Sequence, residues 1–347
     1  KNRIAMAPMA TVADPDGGFS QVVSDYFTAR AKGGAGLIMS GALAVTDRYG
    51  TPASGWIGSP MHTARLTQLA DRIHIYGAKF CLELTYGNGR CGCSDPSKPP
   101  FSASAVPTLQ YPDVLCREMP KEDIHFLVQQ AGKAAAQAKL AGVDGVVIHA
   151  YAGYLLDQFQ SSEWNHRTDE YGGSAENRAR FLCEIIDEIH KTCGDDMPIL
   201  VRISADDLMP DGNRIADTLE LIPIIEAHGV DAWSVQAGFH EAPRPVANQI
   251  VPEGEFIDLA KQVKTVTSKP VFPGTRINTL DMCEKVVTEG YGDAVGMARQ
   301  FIADPDTARK VEEGRPEQVR PCIVCSRCLD NIFIGKPCQC SVNANVW

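Results

Sequence analysis

Near its C-terminus the chain reads RPCIVCSRCLDNIFIGKPCQCSVN. There Cys322, Cys325 and Cys328 form C-x2-C-x2-C, and Cys340 follows after eleven residues. Three close thiolates on a tight loop with one distant partner suit a [4Fe-4S] cubane held by four cysteines. Zinc is the alternative, but four-cysteine zinc sites usually pair their ligands as two C-x-x-C knuckles, which this segment lacks. Cys338 is read as a bystander.

Other chemistry-bearing residues follow apolar runs. Tyr154 in HAYAGYLLDQF and His240 in AGFHEAP could share a hydrogen bond as a proton-donor pair, although each alone is more often structural. Arg202 lies inside the buried-type run VRIS, where a guanidinium is costly unless it meets an anion, either a core carboxylate or a bound one. PGTRIN and GMARQF each place small residues and one arginine, Arg276 or Arg299, after an apolar run. Backbone N–H groups and guanidinium forks of that kind bind phosphate. APMAT (Ala7–Thr11) and SGA (Ser40–Ala42) offer small side chains and amides that could lie against a flat ring, and Glu83 ends a further run.

These residues need a scaffold that brings run ends together. Eight β-rich runs are candidate strands: Arg3–Pro8, Gly36–Ser40, Lys79–Leu84, Gly145–His149, Ile199–Ile203, Ala232–Val235, Pro270–Phe272 and Ala294–Gly296. Helical stretches alternate with them, among them Glu122–Ala141, Ala175–Cys193 with Ser174 as N-cap, and Ile215–His228. The alternation predicts an α/β fold, a TIM (β/α)8 barrel with its site at the strand C-terminal ends. A doubly wound sheet competes, but no strand is followed by G-x-G-x-x-G. The Pro- and Ser-rich stretch Cys93–Pro112 reads as a long surface excursion, and the alternation stops near Arg320. The expected division is a barrel over residues 1–319 and a cysteine segment over 320–347.

The chain has 347 residues, 44% of them hydrophobic, which is ample for a large core. A net charge of −10 argues against nucleic acid or an anionic membrane as partner. No apolar run reaches about 18 residues, the length needed to span a bilayer. Twelve cysteines, five of them within nineteen residues, suggest metal rather than a disulfide scaffold, and a cytoplasmic setting is expected. The opening KNRIAMAPMA reads as a strand rather than a signal peptide, and both ends look cut.

Together RTDEYGGSAENR, the post-strand motifs and the C-x2-C-x2-C-x11-C tail resemble the Old Yellow Enzyme superfamily. The likeness is to its iron–sulfur branch, with bacterial 2,4-dienoyl-CoA reductase and trimethylamine dehydrogenase, over nearly the whole chain. The resemblance implies FMN lined by Ala7, Pro8, Met9, Ala10, Thr11 and Ala42, with Glu83 at the pyrimidine edge and Arg202 by N1/O2. Gly274, Thr275, Arg276, Gly296, Ala298 and Arg299 would form the phosphate end. It implies hydride transfer from flavin N5 to the β-carbon of an activated alkene (enoyl thioester, enoate, unsaturated steroid or phenolic), with Tyr154 protonating the product and His240 supporting it. His149 matches the residue that grips the substrate carbonyl. The cluster would relay electrons from FAD and NAD(P)H on a further module or partner protein, and a homo-oligomer is compatible with the pattern. Three positions depart from the family: Ala152 replaces the second carbonyl-gripping residue, Glu83 a glutamine, and Val147 an acid. These bear on the substrate rather than the fold. Two other activities are weighed. One is oxidative amine or betaine demethylation, with Tyr151, Trp164 and Phe239 as a cation-binding bowl; the other is a non-catalytic electron-transfer subunit.

Overall fold

The computed structural model describes residues 1–11, 16–49, 55–242 and 248–347. Eight parallel strands form the barrel: β1 (Ile4–Met6), β2 (Leu37–Met39), β3 (Lys79–Thr85), β4 (Gly145–Ala150), β5 (Ile199–Ser204), β6 (Ala232–Gln236), β7 (Val271–Pro273) and β8 (Val295–Met297); a ninth, the two-residue Leu43–Ala44, joins the sheet beside the end of β3. Their order runs β7-β6-β5-β4-β3-β2-β1-β8, so every ladder of a closed barrel is present except β7 with β8. There a single backbone bond, Asp293 N–H to the Val271 carbonyl at 2.8 Å, bridges the gap. The Asp293 carboxylate also accepts from Val271 N at 2.9 Å. The same device recurs on alternate strands: Asp144 accepts from Phe80 N and Asp231 from Ile199 N. Each aspartate precedes an even-numbered strand and satisfies an N–H at the start of its neighbour.

Strand periodicity explains how polar chemistry reaches the mouth. Ala5, Met39, Cys81, Val147, Leu200 and Ala232 pack together as one apolar layer inside the barrel, with Leu37 and Phe272 against them. Side chains two residues further on share the same face. That parity puts Glu83, His149, Arg202, Ser234 and Gln236 in the next layers, toward the strand C-terminal ends. The opposite face of each strand meets the helices.

Helix Ala175–Cys193 starts where Ser174 accepts from Asn177 N and stops at Gly194, whose φ of +78° suits glycine. Phe181, Leu182, Ile185, Ile186 and Ile189 recur at helical spacing and are buried. They pack beside helix Lys121–Leu140, whose alanines at 131, 134, 135 and 138 allow close approach. The stretch Cys93–Pro112 is only partly a surface excursion: Ser102, Ala103, Ser104, Val106 and Thr108 are buried. Phe101–Ser102 pairs with Arg117–Glu118, and Arg167 of RTDEYGGSAENR staples the loop by donating to the Ala103 and Met119 carbonyls. Asp169 receives the other side of that guanidinium at 2.6 and 3.0 Å. The motif is thus a structural clamp on the wall of the mouth. No helix among the described residues is long and apolar enough to cross a membrane.

Candidate active site

Arg202 Nη1 donates to Glu83 Oε1 at 3.0 Å, with both side chains largely buried. Of the two anions considered for this arginine, the core carboxylate is therefore present. Burial lifts the Glu83 carboxyl above its usual range, and the Arg202 charge opposes that rise. The guanidinium also lies 4.7 Å from the Tyr151 ring centre, and its buried Nε has no partner. Glu83 N donates to Ser40 Oγ at 2.9 Å, which ties the end of β2 to β3.

After β4 the chain turns through two left-handed residues, Ala152 (φ +66°) and Gly153 (φ +79°). A non-glycine residue holds that conformation only at a cost of order 1 kcal/mol or more, and such strain clusters at functional sites. The turn is held by the buried Asp157 carboxylate, which accepts from Gly153 N at 2.7 Å and from Ser204 Oγ at 3.2 Å. It delivers Tyr154 between two imidazoles, with ring centres 4.8 Å from His149 and 5.1 Å from His240. The Tyr154–His240 contact is edge to face; among the described residues no hydrogen bond joins them. Burial raises the Tyr154 hydroxyl and keeps it protonated, while Arg202 works the other way. Burial, then the charges of Arg202 and His240, hold His149 well below its ordinary pKa, and its buried Nδ1 has no partner. The protein around the mouth and Arg202 bring His240 down to about 4, although its ring keeps an exposed face. Both imidazoles are neutral at pH 7.

The loop after β1 touches both the loop after β2 and strand β8. An added Cβ on Gly41 would collide with the Met9 carbonyl and stand 2.9 Å from Ala10 Cα, and one on Gly296 would lie 3.3 Å from Ala7 Cβ. Pro8 and Met9 are buried beneath, while Ala10, Thr11 and Ala42 keep surface at the mouth. After β7, a Cβ on Gly274 would strike the Gln236 side chain, and Thr275 Oγ1 donates to Gln236 Oε1 at 2.9 Å. Arg276 has φ +59° and is braced by its Nε bond to the Val251 carbonyl. Arg299, after Ala298, is lowered mainly by burial, with the Arg276 charge acting in the same sense. Two guanidiniums brought this close, beside glycine-lined backbone, fit a dianionic phosphate. The small-residue cradle and the unpartnered Arg202 Nε fit a flat polar ring. The residues present therefore suit a flavin mononucleotide.

The cysteine segment packs on the barrel beside this end. Val324 (φ +55°) and Ser326 (φ +61°) bracket Cys325 with left-handed backbone. Cys322 N donates to Gln300 Oε1 at 2.9 Å, and Cys325 Sγ donates to Ser341 Oγ at 3.2 Å. Cys322 senses the charges of Cys340 and Cys325, and Cys328 those of Cys322 and Cys340, so the four thiols share one neighbourhood. Burial pushes Cys328 up to about 11 and raises Cys322, whereas the Ser341 bond lowers Cys325. Among the described residues no three His, Cys, Asp or Glu side chains converge tightly enough to grip a single ion. Arg299 neighbours both Cys322 and Cys328, so one residue borders the thiol cluster and the phosphate loops.

The proposed cation bowl is not assembled as one cage. Tyr151 lies beside the Arg202 guanidinium, and Trp164, facing Phe239 at 6.2 Å, has Arg90 3.9 Å above it. Arg90 in turn is paired with Glu241, which follows His240. Gln236, Asp157 and the Arg90–Glu241 pair were not anticipated. Gln236 was within reach, because extending the sixth run by one residue places it inward beyond Ser234. Pro243 of AGFHEAP lies outside the described residues.

The profile of the NADH:flavin oxidoreductase / NADH oxidase family matches residues 1–318. A metal reductase of Desulforamulus reducens is 39% identical over 99% of this chain and 52% of its own length. A cinnamate reductase of Clostridium sporogenes is 33% identical over 99% of this chain and 55% of its own. The solved complex of 2-naphthoyl-CoA reductase with 2-naphthoyl-CoA superposes with TM-score 0.93 at 33% identity, covering all of this chain and 55% of that one. Histamine dehydrogenase from Rhizobium sp. 4-9 gives TM-score 0.88 at 28% identity, over all of this chain and half of that one. The chain spans about half the length of these relatives. It belongs to the NADH:flavin oxidoreductase / NADH oxidase family.

Proposed function

We propose that this chain is the catalytic part of a flavin-dependent ene-reductase that reduces an activated carbon–carbon double bond. The observation that carries the reading is Tyr154, held protonated between two neutral imidazoles and beside Arg202. When bound, FMN supplies a hydride from its N5 to the β-carbon of the alkene. The residues that would hold it are Pro8, Met9, Ala10, Thr11 and Ala42 along the ring, Glu83 and Arg202 at its polar edge, and Gly274, Thr275, Arg276, Gly296, Ala298 and Arg299 at the phosphate.

The chain's own contribution is a proton and its placement. Tyr154 Oη gives its proton to the carbon next to the carbonyl, and the Arg202 charge lowers the cost of the phenolate left behind. His149 Nδ1, buried and without a partner, can donate to the substrate carbonyl in one tautomer. The second residue of that clamp is absent, since position 152 is alanine. His240 fixes the Tyr154 ring from its other side. An acid that is neutral yet buried is suited to late protonation, because it neither repels nor traps the anion that forms.

Two relatives support an unsaturated system conjugated to a carbonyl as substrate: their names are cinnamate reductase and 2-naphthoyl-CoA reductase. Oxidative demethylation is less well served, because guanidiniums already lie against Tyr151 and Trp164 and would repel a methylated ammonium. Cys322, Cys325, Cys328 and Cys340 are read as ligands of a [4Fe-4S] cluster. The C-x2-C-x2-C-x11-C spacing favours a cubane over zinc, whose four-cysteine sites usually pair their ligands as two C-x-x-C knuckles. Electrons would come from a FAD and NAD(P)H module or partner.

The test is an anaerobic half-reaction. Protein reduced with one equivalent of dithionite per flavin is mixed with enoates and enoyl thioesters, and flavin absorbance and saturated product are followed. Reoxidation matched by product supports the reading; a flavin that stays reduced with every alkene refutes it.

A further inference from the structure

We propose that Phe333, supplied by the cysteine segment, is a specificity-determining residue of this site that takes the flat apolar tail of the substrate. The proposal rests on the ene-reductase reading. Phe333 ends the helix Arg327–Phe333. Cys328 on that helix is buried, and Leu329 and Ile332 pack against the main core. Phe333, one residue past Ile332, is turned off that face and is 61% exposed. Single exposed apolar residues are ordinary, so exposure alone would carry nothing. What distinguishes Phe333 is its contact: its ring meets His240 edge to face with centres 5.2 Å apart. His240 is itself 5.1 Å from Tyr154. Phe333 therefore stands within about 10 Å of the proton donor. That is too far to act on the reacting carbons but near enough to meet a substituent beyond them.

An open aromatic face at this distance favours a planar apolar group, which gains both area burial and ring stacking. The placement also links two parts of the chain. The helix begins just after Cys325 and carries Cys328, so whatever holds those thiols also holds the wall of the mouth.

The experiment uses the holoenzyme and two probes, cinnamate and crotonate, each as free acid and as coenzyme A thioester. They share a reacting group and differ only in a phenyl or methyl tail. Dissociation constants by calorimetry and kcat/KM are compared for wild type, Phe333→Ala and Phe333→Trp. In Phe333→Ala, the phenyl probe loses about 2- to 10-fold more in binding and kcat/KM than the methyl probe does. Phe333→Trp restores the phenyl probe. Equal losses for both probes, or none for either, would overturn the assignment. A wild type that binds and reduces neither probe would overturn this inference alone; the ene-reductase reading falls only if the reduced flavin is reoxidised by no alkene.

Discussion

The neutral state of His149 has a consequence for stability that can be measured. In the unfolded chain this histidine titrates near 6.5. In the fold, burial first and then the charges of Arg202 and His240 keep it unprotonated well below that value. Below pH 6.5 the unfolded state therefore binds a proton that the folded state does not. Stability contributed in this way is present above the unfolded pKa and is lost as pH falls. The slope approaches at most about 1.4 kcal/mol per pH unit, so about 2 kcal/mol is the upper bound on what lowering pH from 7 to 5 costs through His149. His149→Asn keeps an amide in the pocket and removes the titration. Urea unfolding of wild type and His149→Asn at pH 7, 6 and 5 isolates this part, because all other titrating groups cancel in the difference. The stability advantage of wild type over the variant should shrink across that range, by up to about 2 kcal/mol. A constant difference would mean that His149 titrates in the fold as it does in the unfolded chain, and a growing one that the fold holds it protonated; in either case the account of a neutral imidazole beside Tyr154 would fail.

Cys325→Ser should lose iron and sulfide and block reduction of the flavin through a pyridine-nucleotide partner, while dithionite still reduces it; unchanged iron content would remove the cluster assignment. Gly41→Ala places a methyl against the Met9 carbonyl and Ala10, so it should cost about 1–3 kcal/mol and reduce flavin retained on gel filtration. Full flavin occupancy in that variant would show that the first two loops are not the cradle. Glu83→Ala leaves the buried Arg202 charge without its carboxylate and should cost about 3–5 kcal/mol, whereas Glu83→Gln keeps an acceptor and should cost less. Thermal unfolding that ranks the two variants equally would contradict the ion-pair account.

The eight barrel strands were legible because each is a short β-rich run closed by small or polar residues, and all eight appear in the sheet. Helix Ala175–Cys193 was legible to the residue, since Ser174 and Gly194 mark its ends. Strand period two then placed Glu83, His149 and Arg202 at the mouth. What could not be read were contacts made by tertiary approach alone. Neither Phe101–Ser102 nor Arg117–Glu118 carries periodicity, being two residues each, so their pairing is invisible until the loop folds back. The partner of Arg202 was undecidable in sequence, because choosing Glu83 requires knowing that β3 and β5 flank β4 with both side chains turned into the barrel. Phe333 belongs to a segment read only for its thiols, and its meeting with His240 joins residues 93 positions apart.

The most direct test of the central claim separates the two half-reactions in Tyr154→Phe. Stopped-flow absorbance would follow flavin reduction, and then reoxidation by an alkene that the wild type reduces. The variant should be reduced at the wild-type rate and reoxidised about 10²- to 10⁴-fold more slowly, the usual cost of losing a general acid. Wild-type reoxidation in Tyr154→Phe would show that the proton comes from elsewhere and that the Tyr154 geometry is structural.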